Sequence, residues 1–180
     1  MIILASKSPR RRELMKYITD DFECTAADVD ETLPDGISPE DAVIYLSKIK
    51  AQPFADGENT VIGADTVVAA DGKILGKPRD AEDAKAMLSF LSGRVHSVFT
   101  GVTVIKGSKC ETFFEKTDVE FYELNDADIE KYVSTREPMD KAGAYGIQGY
   151  GCLLVKRING DYFNVVGLPV SRLNQLLSKM

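Results

Sequence analysis

Strand-length apolar runs alternate with capped helices along this chain, and some of the runs are joined by glycine turns instead of helices. That interleaving restricts the fold more than any other feature. Residues 2–5 form a short apolar run, and Ser8-Pro9 then reads as an N-cap with proline at the first helical position, launching a helix to about Tyr17. Residues 22–26 predict a second strand, and 28–38 an acidic loop. Ser38-Pro39-Glu40-Asp41 starts another helix, with Val43, Leu46 and Ile49 on its apolar face. Residues 60–70 are β-rich, and Asp71-Gly72 is a hairpin signal into residues 73–75. Asp80 caps a helix whose Ala84, Met87, Leu88 and Leu91 share a face. Two long β-rich stretches, 97–105 and 111–122, flank Lys106-Gly107-Ser108, and Asn125 opens a helix with Ile129, Tyr132 and Val133 inward. Asn159-Gly160 predicts a hairpin between residues 152–158 and 162–166, and Leu173, Leu176 and Leu177 mark a closing helix. The fold class is α/β. The hairpins exclude a purely parallel sheet, so the expectation is a mixed, twisted sheet with flanking helices. At 180 residues, the chain fits one domain over 1–180, or two small lobes around a cleft.

Charge and rare residues exclude whole classes of function. A formal net charge of -6 argues against a nucleic-acid or membrane-surface binder, which needs a broad basic face. The one local exception is the cluster Lys7, Arg10, Arg11 and Arg12. Three widely spaced cysteines, Cys24, Cys110 and Cys152, leave no complete disulfide framework and read as reduced thiols of a cytoplasmic protein. The apolar run before Lys7 is too short for a signal peptide or a membrane span. With His96 as its single histidine, the chain cannot build HExxH or a cysteine–histidine zinc cluster. Any metal would be held by oxygen ligands, which favours Mg²⁺ or Mn²⁺.

Several short stretches carry chemistry. Residues 137–149 (EPMDKAGAYGIQG) hold three glycines, a tyrosine and one polar amide, with no heptad or strand alternation. Glycine lets backbone approach a ligand closely, and Gln148 can both donate to and accept from a polar ring edge; the alternative is a long structural loop. In Ser6-Lys7-Ser8-Pro9-Arg10-Arg11 a strand leads into hydroxyls and cations and then into a helix. Helix N-termini bind phosphate well, yet cations there oppose the helix dipole, so Ser8, Arg10 and Arg11 suggest an anionic partner; the alternative is a capped helix with a solvated basic first turn. Asp65, inside the strand pattern Gly63-Ala64-Asp65-Thr66, must face a cleft, a cation or a helix to cap, and is a candidate metal ligand or general base. Glu31 is a second candidate carboxylate, or simply a solvated acid. Lys50 either answers the dipole of its own helix or projects into the same site, and Lys77 in Gly76-Lys77-Pro78 is a candidate point charge for phosphate. His96 reads as a structural histidine. Together these suggest a nucleoside triphosphate site without the GxxxxGK[ST] loop.

The ordered set Ala5-Ser6-Lys7-Ser8-Pro9-Arg10-Arg11, Val29-Asp30-Glu31, Lys50-Ala51, Gly63-Ala64-Asp65-Thr66, Gly76-Lys77-Pro78, Leu91-Ser92-Gly93-Arg94, His96, Thr100-Gly101, residues 137–149, Gly160-Asp161-Tyr162 and Val166-Gly167-Leu168-Pro169 resembles the Maf family, also called septum-formation inhibitor-like proteins, over the whole chain. The resemblance implies a nucleoside triphosphate pyrophosphatase cleaving between the α and β phosphates. It implies Asp65 as proton acceptor, Glu31 with Asp65 at a divalent metal (Mg²⁺ or Mn²⁺), and Ser8, Arg10, Arg11, Lys50 and Lys77 on the triphosphate or its developing charge. Thr66 and Gln148 look like the branch acting on dTTP and UTP; the sister branch prefers 7-methyl-GTP. The resemblance further implies a fold similar to inosine triphosphate pyrophosphatases, two lobes flanking a deep cleft, a homodimer, and a house-cleaning role in nucleotide pools. A nucleotide-sensing regulator of septum formation is the non-enzymatic alternative.

Overall fold

Side-chain caps set where the main helices begin. In the computed structural model, which describes residues Met1–Met180, helix α1 (Pro9–Met15) starts behind Ser8, whose hydroxyl accepts the Arg11 N–H. Helix α2 (Pro39–Ala51) starts behind Ser38, which accepts the Asp41 N–H. Helix α3 (Ala81–Leu91) is capped by Asp80, and α4 (Asp126–Ser134) by a reciprocal capping box of Asn125 and Asp128. Each cap satisfies an N–H that the first helical turn leaves unpaired. Two further helices, α5 (Tyr162–Val166) and α6 (Val170–Leu177), lie near the C-terminus. No helix is long and apolar enough to cross a membrane.

The strands are β1 (Ile2–Ala5), β2 (Phe22–Thr25), β3 (Thr60–Ala70), β4 (Lys73–Leu75), β5 (Val95–Lys106), β6 (Lys109–Phe121) and β7 (Val155–Asn159). They form one seven-stranded sheet in the order β2-β1-β3-β5-β6-β7, with β4 paired to β3. β1 runs parallel to both β2 and β3. β3 and β4 pair antiparallel, and Asp71 and Gly72 between them have φ of 49° and 73°, the positive values that a two-residue hairpin turn demands. The sheet is mixed, as the combination of helical crossovers and hairpins requires.

By contact the chain divides into two compact units. One comprises Met1–Thr66, Thr100–Glu115 and Gly167–Met180; the other comprises Val67–Phe99 and Lys116–Val166. In the first unit, α2 lies against the sheet with almost nothing between. A Cβ on Gly63 would overlap the Ser47 carbonyl oxygen, and one on Gly101 would overlap that of Val43. Only glycine allows this approach. The docking is also tied by hydroxyls: Ser47 donates to the Ile44 carbonyl (3.0 Å), which leaves its oxygen to accept from Thr103 at 2.9 Å. Thr103 in turn lies 3.1 Å from Thr112. Ser47 and Thr103 are fully buried, so this pairing removes what would otherwise be a desolvation cost. Ala5, Ala51, Val61 and Ile105 make an apolar cluster beside it.

The core of the second unit gathers Leu88 and Leu91 of α3, Ile129, Tyr132 and Val133 of α4, Val98, Val119 and Phe121 of the sheet, and Ala144 and Tyr145. His96, 2% exposed, sits inside it. Its ring meets those of Phe121 and Tyr145 edge-on, at 4.9 and 5.3 Å between centroids, and its Nε2 lies 2.7 Å from the Tyr145 hydroxyl. Burial lowers the His96 pKa to about 4, with Asp118 pulling the other way. The unfolded chain takes up this proton near the ordinary 6.5, the folded chain only near 4. The unfolded state therefore binds more protons within that window, and stability falls as pH drops through it, by up to about 3 kcal/mol. Urea titrations across the window are expected to show the fall in wild type and a much smaller one in His96→Phe.

One expected element is absent. Residues 152–158 and 162–166 do not form a hairpin. Cys152 and Leu153 belong to a 3-10 turn, Gly149–Leu153, and β7 pairs back onto β6, with a register shift between Glu120 and Phe121. Residues after Gly160 are helical because Asp161 accepts the Phe163 N–H (2.8 Å), a helix-start bond. Gly160, with φ of 133°, does not adopt the turn that Asn-Gly usually signals. Asn164, fully buried, then donates to the Val98 carbonyl (3.1 Å) and the Thr117 hydroxyl (2.9 Å), bonds that place α5 under the sheet.

Candidate functional site

Docking α2 through Gly63 brings the last turn of that helix beside the middle of β3. Lys50, in that turn, places its Nζ 2.5 Å from Asp65 Oδ1 and 2.9 Å from Glu31 Oε2. Lys50 and Asp65 side chains are only 18% and 12% exposed, whereas Glu31 is 54% exposed. The Lys50–Asp65 contact is therefore shielded from water, and Glu31 reaches in from the solvated loop that precedes α2. Of the alternatives open for Asp65, a helix cap is not what forms; its partner is a cation. Lys50, expected to answer either its helix dipole or a site, binds both carboxylates.

A second cluster adjoins it in the same unit. Arg11, partly buried in the first turn of α1, donates from Nε to the Gly167 carbonyl (2.8 Å) and from Nη2 to Thr66 Oγ1 (3.0 Å). Thr66 Oγ1 lies 2.8 Å from Thr100 Oγ1. Burial lowers the Arg11 pKa, Asp65 opposes that shift, and Arg10 adds to it; a guanidinium stays charged regardless. Ser8 caps α1 (3.4 Å to the Arg11 N–H) and its own N–H donates to Ser6 Oγ (3.2 Å). Of the three consecutive arginines, Arg11 is anchored inward, Arg10 is half-buried and Arg12 is exposed.

The first unit thus gathers Glu31, Lys50, Asp65, Thr66 and Arg11 of the expected residues, with Ser8 and Arg10 on the same helix start. Lys77 and Gln148 belong to the second unit. Lys77 is exposed beyond β4, where the Gly76 carbonyl accepts the Gly143 N–H at 3.0 Å. Gln148 is exposed at the head of the turn Gly149–Leu153, with no hydrogen bond from its side chain to that turn.

The glycines of residues 137–149 are needed for the protein's own packing, as the structural-loop alternative requires. A Cβ on Gly143 would press on Val68, one on Gly146 on the Lys141 side chain, and one on Gly149 on the Glu137 carboxylate. Glu137 was not among the expected site residues, yet it organises the segment. Its Oε1 accepts from the Tyr132 hydroxyl and the Gly151 N–H (both 3.0 Å), and its Oε2 from the Tyr150 N–H (2.9 Å). The Tyr132 oxygen also accepts the Gly146 N–H at 3.2 Å. Burial raises the Tyr132 pKa, with Gly146 opposing and Glu137 reinforcing, so the phenol stays protonated as the donor to Glu137. The carboxylate of a lone acid before proline gives no periodic signal; the glycines and N–H groups that converge on it are its only trace in the sequence.

No group of three or more His, Cys, Asp or Glu side chains gathers to hold a metal unaided. Asp65 and Glu31, however, aim one carboxylate oxygen each at a single cation position, that of Lys50 Nζ. Carboxylate oxygens are the donors that Mg²⁺ and Mn²⁺ accept, so these residue types fit such an ion, at a place where Lys50 is the cation that both carboxylates meet.

Comparison with known proteins bears on the whole chain. The family model described as Maf-like protein matches residues 1–180. A protein of Bacillus cytotoxicus named dTTP/UTP pyrophosphatase is 50% identical over 173 residues, covering 95% of this chain and 91% of its own. One of Bacillus cereus (strain G9842) with the same name is 48% identical over 174 residues, covering 96% and 91%. The solved structure of the Staphylococcus aureus Ham1 protein superposes with a TM-score of 0.59 at 16% identity, over 99% of this chain and 98% of that one, a likeness of fold. With a family model matched from end to end and relatives at half identity across nearly its full length, this chain belongs to the Maf-like protein family.

Proposed function

We propose that this protein is a nucleoside triphosphate pyrophosphatase that hydrolyses dTTP and UTP to the monophosphate and pyrophosphate. The observation that carries the reading is the Lys50 ammonium held by Asp65 and Glu31, in a unit whose first helix opens on an arginine pair; the names of the Bacillus relatives support the substrates. Asp65 takes the proton of a water whose oxygen bonds to the α-phosphorus. The bond from that phosphorus to the α–β bridging oxygen breaks, and pyrophosphate leaves with the electron pair. Ser8, Arg10 and Arg11 at the start of α1, with Lys50 and Lys77, bind the triphosphate and balance the charge that grows on the leaving group. Thr66 and Gln148 set the base preference. A glutamine amide matches both the carbonyl and the N–H of a thymine or uracil edge. A divalent ion, held by Glu31 and Asp65, would supply charge neutralisation on the phosphate oxygens. The reading also places the protein in the cytoplasm, which suits its exposed free thiols Cys24, Cys110 and Cys152, and expects a homodimer.

The test is pyrophosphate release from dTTP, UTP, CTP, GTP and 7-methyl-GTP with Mg²⁺ or Mn²⁺. Turnover led by dTTP and UTP is expected. Turnover confined to 7-methyl-GTP would overturn the base preference while keeping the reaction, and binding without turnover would point instead to a nucleotide sensor.

A further inference from the structure

The side chain of Gln148 is exposed and makes no bond to the turn it heads, so nothing local fixes where its amide points except its backbone. That backbone is pinned on both sides. Two residues before it, the Gly146 N–H donates to the Tyr132 hydroxyl (3.2 Å). Two and three residues after it, the N–H groups of Tyr150 and Gly151 donate to the two oxygens of Glu137 (2.9 and 3.0 Å). The pins are themselves joined, since Tyr132 donates to Glu137 (3.0 Å). Between them, Gly149 takes a φ of 63° and has no room for a Cβ against that carboxylate.

We infer that Glu137, acting with Tyr132, is the positioning residue for Gln148: it fixes the loop backbone so that the amide is presented to the pyrimidine edge without an ordering cost on binding. The inference rests on the assignment of Gln148 to base reading. Carboxylate chemistry is what the place demands. Both oxygens accept, and they meet three donors; an amide in the same shape would turn an NH₂ group toward a backbone N–H and lose at least one bond. A loop released in this way must be re-ordered by each substrate molecule, a cost that appears in binding and leaves the chemical step alone.

The test measures steady-state dTTP hydrolysis by wild type, Glu137→Gln, Gln148→Ala and the double variant. The expected result is that Glu137→Gln raises KM about tenfold and moves kcat by less than about threefold, and that it changes KM no further once Gln148 is alanine. An unchanged KM would overturn the inference. So would a KM rise of equal size with and without Gln148, because Glu137 would then act through something else. If Glu137→Gln is too poorly folded to assay, Tyr132→Phe removes only the shared hydroxyl and is expected to show a smaller rise that also depends on Gln148; a rise independent of Gln148 overturns the inference there too. A Gln148→Ala variant with the KM of wild type would sink the base-reading assignment itself, and this inference with it.

Discussion

Asp65→Asn is expected to lower kcat for dTTP by about 10³-fold, the range that a positioned general base contributes, while the protein stays folded. The substitution removes the proton acceptor together with the negative charge that faces Lys50 and the proposed ion, and keeps the shape of the side chain. Asparagine keeps an oxygen where the Lys50 ammonium now finds Asp65 Oδ1, and the side chain keeps its volume inside a strand whose neighbours are buried. The variant is therefore expected to melt within a few degrees of wild type, in line with a ΔΔG of about 1 kcal/mol. Substrate binding should persist in part, because Ser8, Arg10 and Arg11 at the start of α1 are untouched. A mutant that turns over dTTP at the wild-type rate would remove Asp65 from the role of base. One that fails to fold would show that the ion pair with Lys50 is chiefly structural.

Gly63→Ala and Gly101→Ala are expected to destabilise the protein by about 3 kcal/mol each, at the upper end of overpacking costs. Neither has a positive φ, so the cost comes wholly from space. On Gly63 the new methyl meets the Ser47 carbonyl and, at 2.9 Å, both the Cβ and the backbone nitrogen of Ala51; on Gly101 it meets the Val43 carbonyl. These are backbone atoms of α2 and one alanine Cβ, and no rotamer change relieves them. The helix must move off the sheet, which breaks the buried Ser47–Thr103 bond and carries Lys50 away from Asp65. Activity is expected to fall with stability for that reason. Gly76→Ala is the matched comparison: its added Cβ meets nothing within 4 Å, and urea midpoints should place it within about 0.5 kcal/mol of wild type. Equal stability of Gly63→Ala and Gly76→Ala would contradict the close docking of α2.

What the sequence made legible is local chemistry. The caps Ser8, Ser38, Asp80 and Asn125 each sit where a helix starts, because a cap is decided within three residues. Asp71-Gly72 makes its hairpin for the same reason. Asn159-Gly160 carries a similar signal and does not, because Val155–Asn159 has a partner in β6 and Asp161 starts a helical turn; tertiary pairing outweighs the turn preference. The candidate site shows the same division. Asp65, Glu31 and Lys50 stand out singly as residues in costly or ambiguous settings. Their meeting depends on Gly63 and Gly101 admitting α2 to the sheet, a contact between segments far apart in the chain. The Arg11–Thr66–Thr100 cluster is likewise a contact between distant segments, and the Glu137 clamp, though local, follows no motif. Both are made of bonds between residues with no shared periodicity. The glycines of residues 137–149 were visible as a feature, but close approach of backbone reads the same in sequence whether the approaching partner is a ligand or the protein's own side chain.

Hydrolysis of dTTP in ¹⁸O-enriched water decides whether the attacking water bonds to the α-phosphorus, as proposed. The expected products are dTMP carrying the label and unlabelled pyrophosphate. Label in inorganic phosphate, with dTDP as the nucleotide product, would place the attack at the γ-phosphorus and contradict the proposal.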